Sequence, residues 1–132
     1  MDKIKKSETE WKKLLDEKTY NIVRNSGTEP PFTGKYVNEK SDGTYCCSCC
    51  ENELFSSNTK FDSGTGWPSF YEVINNENVL KITDSSHGMN RIEVLCAKCD
   101  AHLGHIFDDG PLPTGKRYCI NSLSLKLFKS EK

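Results

Sequence analysis

Apolar residues are scarce in this sequence, and the scarcity excludes several classes of protein before any motif is read. Only 35% of the 132 residues are hydrophobic, so the core is expected to be modest and to lean on a metal or on disulfides. No apolar run approaches the roughly 20 residues needed to cross a bilayer, and the opening "MDKIKKSETE" carries lysines with no hydrophobic stretch behind them. A soluble, unprocessed chain without a membrane partner is the expectation. Neither sign of charge is in excess: the formal net charge is -1 and the basic residues are scattered, which argues against a phosphate-binding face and so against nucleic acid. The "SGTG" segment lacks the Gly-Lys-Ser/Thr of a phosphate loop. There is no N-x-Ser/Thr sequon, no low-complexity tail, and no internal repeat beyond a doubled Cys-x-x-Cys. The length suits one domain and leaves no room for a second.

Cysteine, by contrast, is abundant. Seven is an odd number, and with no export signal it favours reduced thiols in a cytoplasm over a secreted disulfide framework. Four of the seven stand within "TYCCSCCENELF", offering either Cys46-x-x-Cys49 or Cys47-x-x-Cys50, and Cys96-x-x-Cys99 follows in "VLCAKCD". Two such knuckles make one tetrahedral site. Four thiolates match zinc, because a two-residue turn lets both sulfurs reach a single ion. A thioredoxin-like redox pair would need a βαβ context, which is missing. A zinc held by four thiolates has no open position, so it would support the fold and leave any chemistry to other residues.

Along the chain, Ser7-x-x-Glu10 followed by "WKKLL" reads as a capping box opening a helix with Trp11, Leu14 and Leu15 on one face. A second helical turn runs through Tyr20, Ile22 and Val23 and stops near "NSGTEPPFTG". Beyond Pro31 the texture is of short extended runs, "GKYV", "GTYC", "NVLKIT", "NRIEVLC" and "KRYCINSLSLKLF", separated by Gly, Pro, Asn, Asp and Ser clusters. An antiparallel sheet protein follows, with residues 1–28 as a helical segment and 29–130 as the β-rich core.

Cys119 lies apart from both knuckles, in "KRYCINS", where strand alternation places Arg117, Cys119 and Asn121 on one face. A guanidinium beside a thiol favours the nucleophilic thiolate, and Asn121 offers an amide to a substrate or a neighbour. A lone strand cysteine is as readily a small buried hydrophobe; His102 and His105 in "CDAHLGHIFDDGP" tip the reading toward proton transfer beside a nucleophile. His87 in "DSSHGM" reads as a turn residue. In "KFDSGTGWPSF", Trp67 stands in a sharp turn and offers a rigid pocket wall, with core packing as the alternative for it and for Phe61 and Phe70.

Taken together, "GTEPPFTG", "TYCCSCCENELF", "KFDSGTGWPSF", "HGMNRIEVLCAKCDAHLGHIFDDGP" and "GKRYCINSLSLKL" resemble the B-type methionine sulfoxide reductases, which act on the R epimer, over nearly everything past the first helix. The resemblance implies two antiparallel sheets, one structural zinc on Cys47, Cys50, Cys96 and Cys99, and an active site at the other end. It implies Cys119 as nucleophile, His102, His105, Asn121 and Arg117 as its catalytic neighbours, and Trp67, Phe70 and Phe107 about the substrate. The implied reaction passes through a Cys119 sulfenic acid and is reset by thioredoxin or another thiol, in a monomer that repairs oxidised protein. Many members of that family carry a resolving cysteine where this chain has Thr65, so either an external reductant attacks the sulfenic acid directly or a spare thiol, Cys49 or Cys46, takes over. Two rivals remain: a zinc module that binds without catalysing, and a cysteine hydrolase using Cys119, His105 and Asn121.

Overall fold

The computed structural model describes residues 3–85 and 91–130. Two short helices, α1 (Glu8–Leu14) and α2 (Glu17–Val23), precede nine strands. These are β1 (Gly43–Cys47), β2 (Glu53–Ser56), β3 (Lys60–Phe61), β4 (Ser69–Phe70), β5 (Val79–Asp84), β6 (Arg91–Cys96), β7 (His102–Phe107), β8 (Arg117–Ile120) and β9 (Leu125–Lys129). They form a three-stranded sheet in the order β2-β1-β9 and a six-stranded sheet in the order β3-β4-β8-β7-β6-β5, and each of these pairings is antiparallel.

The capping box forms as the sequence suggests. Ser7 Oγ accepts from the Glu10 amide and the Glu10 carboxylate accepts from the Ser7 amide, an arrangement worth about 1 kcal/mol to a helix this short. At α2 Asp16 caps one way only, its Oδ1 accepting from Thr19 N at 2.7 Å. On α1 only Trp11 is buried; Leu14 is 63% exposed, because seven residues make too little helix to turn three side chains onto one neighbour. Arg24 closes the segment against the body, with its guanidinium 4.6 Å over the Trp11 ring and Nη1 donating to Cys99 O.

Between the sheets lies an aromatic core. Phe70 stacks on Phe55 with ring centres 4.3 Å apart, Tyr45 meets Phe70 edge-on, and Tyr118 meets Phe55 likewise. Phe70 is 0% exposed, so the placement of this residue beside a substrate is overturned: in β4 it alternates with Ser69, and it takes the core face.

Two strand expectations also change. "GKYV" is a turn, in which Tyr36 reaches back so that its hydroxyl accepts from Leu127 N. "KRYCINSLSLKLF" is not one strand but β8 and β9 joined by a 3-10 turn at Ser122–Ser124, which lets the chain cross from the six-stranded to the three-stranded sheet.

Candidate functional site

The residues at issue are placed by sheet register. Cys119 on β8 is the direct partner of Ser69 on β4 and of His105 on β7, and His105 is in turn the partner of Glu93 on β6. Tyr118 and Ile120 point into the core, so Cys119 and His105 occupy the opposite face, side by side. They line an open cavity of about 100 Å³ with Trp67, Phe107, Arg91, Thr28 and Asn121. Gly104 makes the pairing of β7 with β8 possible: a Cβ there would collide with the carbonyl oxygen of Cys119.

Residues three apart in a regular strand face opposite ways. His102 and His105 nevertheless share a face, because Leu95 pairs with His102 while Val94 pairs with Gly104, leaving Leu103 as an extra residue in β7. Their rings stand edge to face, 5.5 Å between centres. His105 Nε2 is 2.9 Å from Asp84 Oδ2 and lines the Cys119 cavity; His102 Nδ1 is 2.6 Å from Glu93 Oε2 and lines an adjoining cavity of about 240 Å³ with Asp84, Arg91 and Glu93. Burial holds His102 below its usual value despite Glu93. The sequence reading missed Arg91, Glu93 and Asp84. For Arg91 and Glu93 the signal was there in "NRIEVLC", where charged residues alternate with apolar ones in a strand whose other face turns into the core at Val94 and Cys96. His87 lies outside the described residues.

Three further placements differ from the expectation. The Cys119 thiol is pushed up rather than down: burial outweighs the Arg117 charge and the hydrogen bonds from Thr65 and Arg117 that favour the thiolate. Arg117 is already engaged, Nε to Asp109 Oδ1 at 2.8 Å and Nη2 to Oδ2 at 3.2 Å, with the guanidinium 4.4 Å over the Phe107 ring. Asn121 spends its amide on the scaffold, donating to Gly27 O and Leu103 O and accepting from Glu29 N. Trp67 is fixed by its own donor, Nε1 to Glu29 O at 2.9 Å.

At the other end of β6 the second cluster assembles. The sulfurs of Cys47, Cys50, Cys96 and Cys99 all lie within 4.8 Å of one another, with Cys47–Cys99 and Cys50–Cys96 at 3.6 Å. Tetrahedral thiolates on one zinc would stand roughly 3.8 Å apart, so four thiols so arranged could hold one metal ion. The knuckles are near copies. In each, the residue after the second cysteine, Glu51 or Asp100, has φ just above +60° and its amide donates to the carbonyl of the first cysteine at 2.8 Å. Of the two registers open in the sequence, the geometry takes Cys47 and Cys50. Cys46 turns to the other face of β1, buried and with its thiol pushed up to about 11 by burial.

Comparison with known proteins agrees with this picture. The SelR domain family matches residues 15–129. A peptide methionine sulfoxide reductase MsrB of Pseudomonas syringae pv. syringae is 61% identical over 127 residues, spanning 96% of this chain and 97% of its own length. Proteins of the same name from Methanosarcina barkeri and Acinetobacter baylyi are 58% and 57% identical, over 97% and 100% of this chain and 89% and 95% of theirs. The chain belongs to the SelR family.

Within this SelR site, Thr65 occupies the place beside the candidate nucleophile, hydrogen-bonded to Cys119 and joined through Ser63 to Ser69 by hydroxyl contacts of 2.7 and 2.8 Å. Among the described residues, no second cysteine lines the Cys119 cavity. Cys49 sits half-buried beside Cys47 and Cys99, and Cys46 belongs to the three-stranded sheet. Nor is any described helix long and apolar enough to cross a membrane.

Proposed function

We propose that this SelR protein reduces the R epimer of methionine sulfoxide in oxidised polypeptides, with Cys119 as nucleophile and His105 as proton donor. The observation that carries the reading is the register pair Cys119–His105 in a cavity walled by Trp67 and Phe107. The activity after which its relatives are named supports the substrate. The indole and phenyl faces suit an S-methyl group on a positively polarised sulfur. Placing His105 rather than His102 as acid rests on its place in that cavity, while Asp84 orients its ring.

The step balances without an outside acid: the Cys119 thiol and the sulfoxide give the Cys119 sulfenic acid and the thioether. One S–O bond forms on Cys119 as the sulfoxide's own S=O bond breaks, and the thiol is oxidised by the two electrons that reduce the sulfoxide. His105 shuttles the proton from the thiol to the oxygen. Burial raises the half-buried Cys119 thiol above its usual value, so its proton is available to pass to the sulfoxide oxygen. The sulfenic acid is the reversible rung of thiol oxidation. With Thr65 beside it and no second cysteine among the described residues of the cavity, an external thiol of thioredoxin type, in a reducing cytoplasm, attacks it directly. That thiol gives a mixed disulfide and water, and a second thiol restores the Cys119 thiol. Zinc on the four-cysteine cluster would hold the β1 and β6 ends together and take no part in these steps. The hydrolase alternative is weaker, since Asn121 is spent on backbone groups and does not reach His105.

The test is turnover of separated R and S methionine sulfoxides with dithiothreitol, by the protein and its Cys119→Ser variant. Reduction of R alone, lost in the variant with metal content unchanged, is expected; reduction of S, or activity surviving in the variant, refutes the assignment.

A further inference from the structure

Glu29 is a buried carboxylate, 3% exposed, and it belongs to neither cysteine centre. Its contacts nonetheless reach three parts of the Cys119 site. Its amide donates to Asn121 Oδ1 at 3.1 Å, its carbonyl accepts from Trp67 Nε1 at 2.9 Å, and its Oε1 accepts from Leu123 N at 3.0 Å, in the turn that follows β8. The other oxygen, Oε2, is buried with no hydrogen-bond partner. A Cβ on Gly34 would collide with that oxygen and with Ser122 Oγ; Ser122 Oγ itself accepts from Tyr36 N at 3.2 Å. A long loop is thus folded over one side chain, with a glycine kept where it must pass.

We propose that Glu29 is the positioning residue of the site: its carboxylate anchors the 27–36 loop to the turn after Cys119, and the anchored backbone then holds the Trp67 indole and the Asn121 amide in place. The backbone bonds alone cannot set that geometry, since residues 25–42 contain no helix or strand and are ordered by tertiary bonds of this kind. The Leu123 amide lies four residues from Cys119, so displacement of the carboxylate moves the loop and the nucleophile's turn together. Misplacement of catalytic neighbours by about 1 Å costs on the order of 10²-fold in rate.

The inference rests on the proposed reductase reading and separates from it in one experiment. Steady-state reduction of a methionine-R-sulfoxide peptide is measured for the wild type, Glu29→Gln, Glu29→Ala and Gly34→Ala, with metal content and thermal unfolding as folding controls. Trp67 emission is recorded in a Trp11→Phe background, with dimethyl sulfoxide as the probe of the methyl pocket. Gln keeps an oxygen for Leu123 N, so Glu29→Gln is expected within about threefold of wild type. Glu29→Ala and Gly34→Ala raise KM at least tenfold, more than they lower kcat, and shift Trp67 emission and its response to the probe. Glu29→Gln as impaired as Ala overturns the proposal, as does folded Glu29→Ala with wild-type KM and Trp67 emission. If Glu29→Ala does not fold, Gly34→Ala decides: wild-type KM and Trp67 emission in that variant overturn the proposal. A wild type that reduces no sulfoxide refutes the reductase reading instead, and the emission measurements then still decide whether Glu29 holds Trp67.

Discussion

At the Cys96 end of β6, four thiols crowd within 4.8 Å of one another. About five residues back along that strand, roughly 16 Å, Arg91 borders a cavity in which a single thiol stands among an indole, an imidazole and a phenyl ring. Both centres use cysteine, but they are built at different levels. Each half of the cluster is a local turn, closed by an amide four residues on and by one left-handed residue, and the two halves are nearly superimposable in their hydrogen bonds. The Cys119 cavity has no local motif: β8 gives Cys119, β7 gives His105 and Phe107, β6 gives Arg91, and Thr28, Trp67 and Asn121 come from the segments between elements. Crowded thiols want a metal for stability, whereas the isolated one has a proton to give up.

The sharpest way to break this contrast is to remove a sulfur from each side. Cys96→Ser should lose the metal and with it the cooperative unfolding transition, since structural zinc supplies on the order of 10 kcal/mol. Cys119→Ser should keep metal content and melting temperature while turnover falls to background. Metal analysis and calorimetry on both variants decide it, and equal destabilisation would erase the distinction. Within the cavity, His105→Asn should cost about 10² to 10⁴ in kcat with stability little changed. Asp84→Asn should cost less, because it alters the orientation of the ring and the pairing with Arg91 but leaves the imidazole in place.

Phe70 and Phe107 give a smaller comparison of core and pocket. Phe70→Ala should cost about 3–5 kcal/mol in denaturant unfolding and leave KM near wild type, and Phe107→Ala should do the reverse. For Cys119, alkylation by iodoacetamide should stay slow near neutrality and climb only above the usual thiol value of 9.0, because burial raises the folded value. Fast reaction at pH 7 would restore the thiolate reading.

The smallest effect is a slope of stability with pH. The folded-state value of His102 lies below the usual 6.5, so as pH falls the unfolded chain takes up a proton first. Stability should therefore drop from about pH 6.5 down to the lower folded value and be flat beneath it. His102→Asn should lose that part of the slope in urea titrations at stepped pH.

Chain spacing alone carried much of this. The paired knuckles, the capping box and the lone cysteine with two histidines nearby are all local patterns, and local patterns survive as written because neighbours in sequence fix their geometry. The choice between Cys46/Cys49 and Cys47/Cys50 is not local, since both pairs have the same spacing and only the packing of β1 against β9 decides which sulfurs turn toward Cys96 and Cys99. Phe70 was misplaced for a similar reason: a two-residue strand gives too short an alternation to tell core from cavity.

What the sequence by itself determined is the inventory and its approximate grouping: helices first, short strands after, two Cys-x-x-Cys knuckles and one cysteine standing apart with two histidines. Only the tertiary structure decided that His105 is the register partner of Cys119 while His102 lines the adjoining cavity, that burial raises the Cys119 thiol, and that Glu29 is hydrogen-bonded to Trp67, Asn121 and Leu123. Those outcomes depend on hydrogen bonds and desolvation between residues as many as 94 positions apart, which no spacing along the chain encodes.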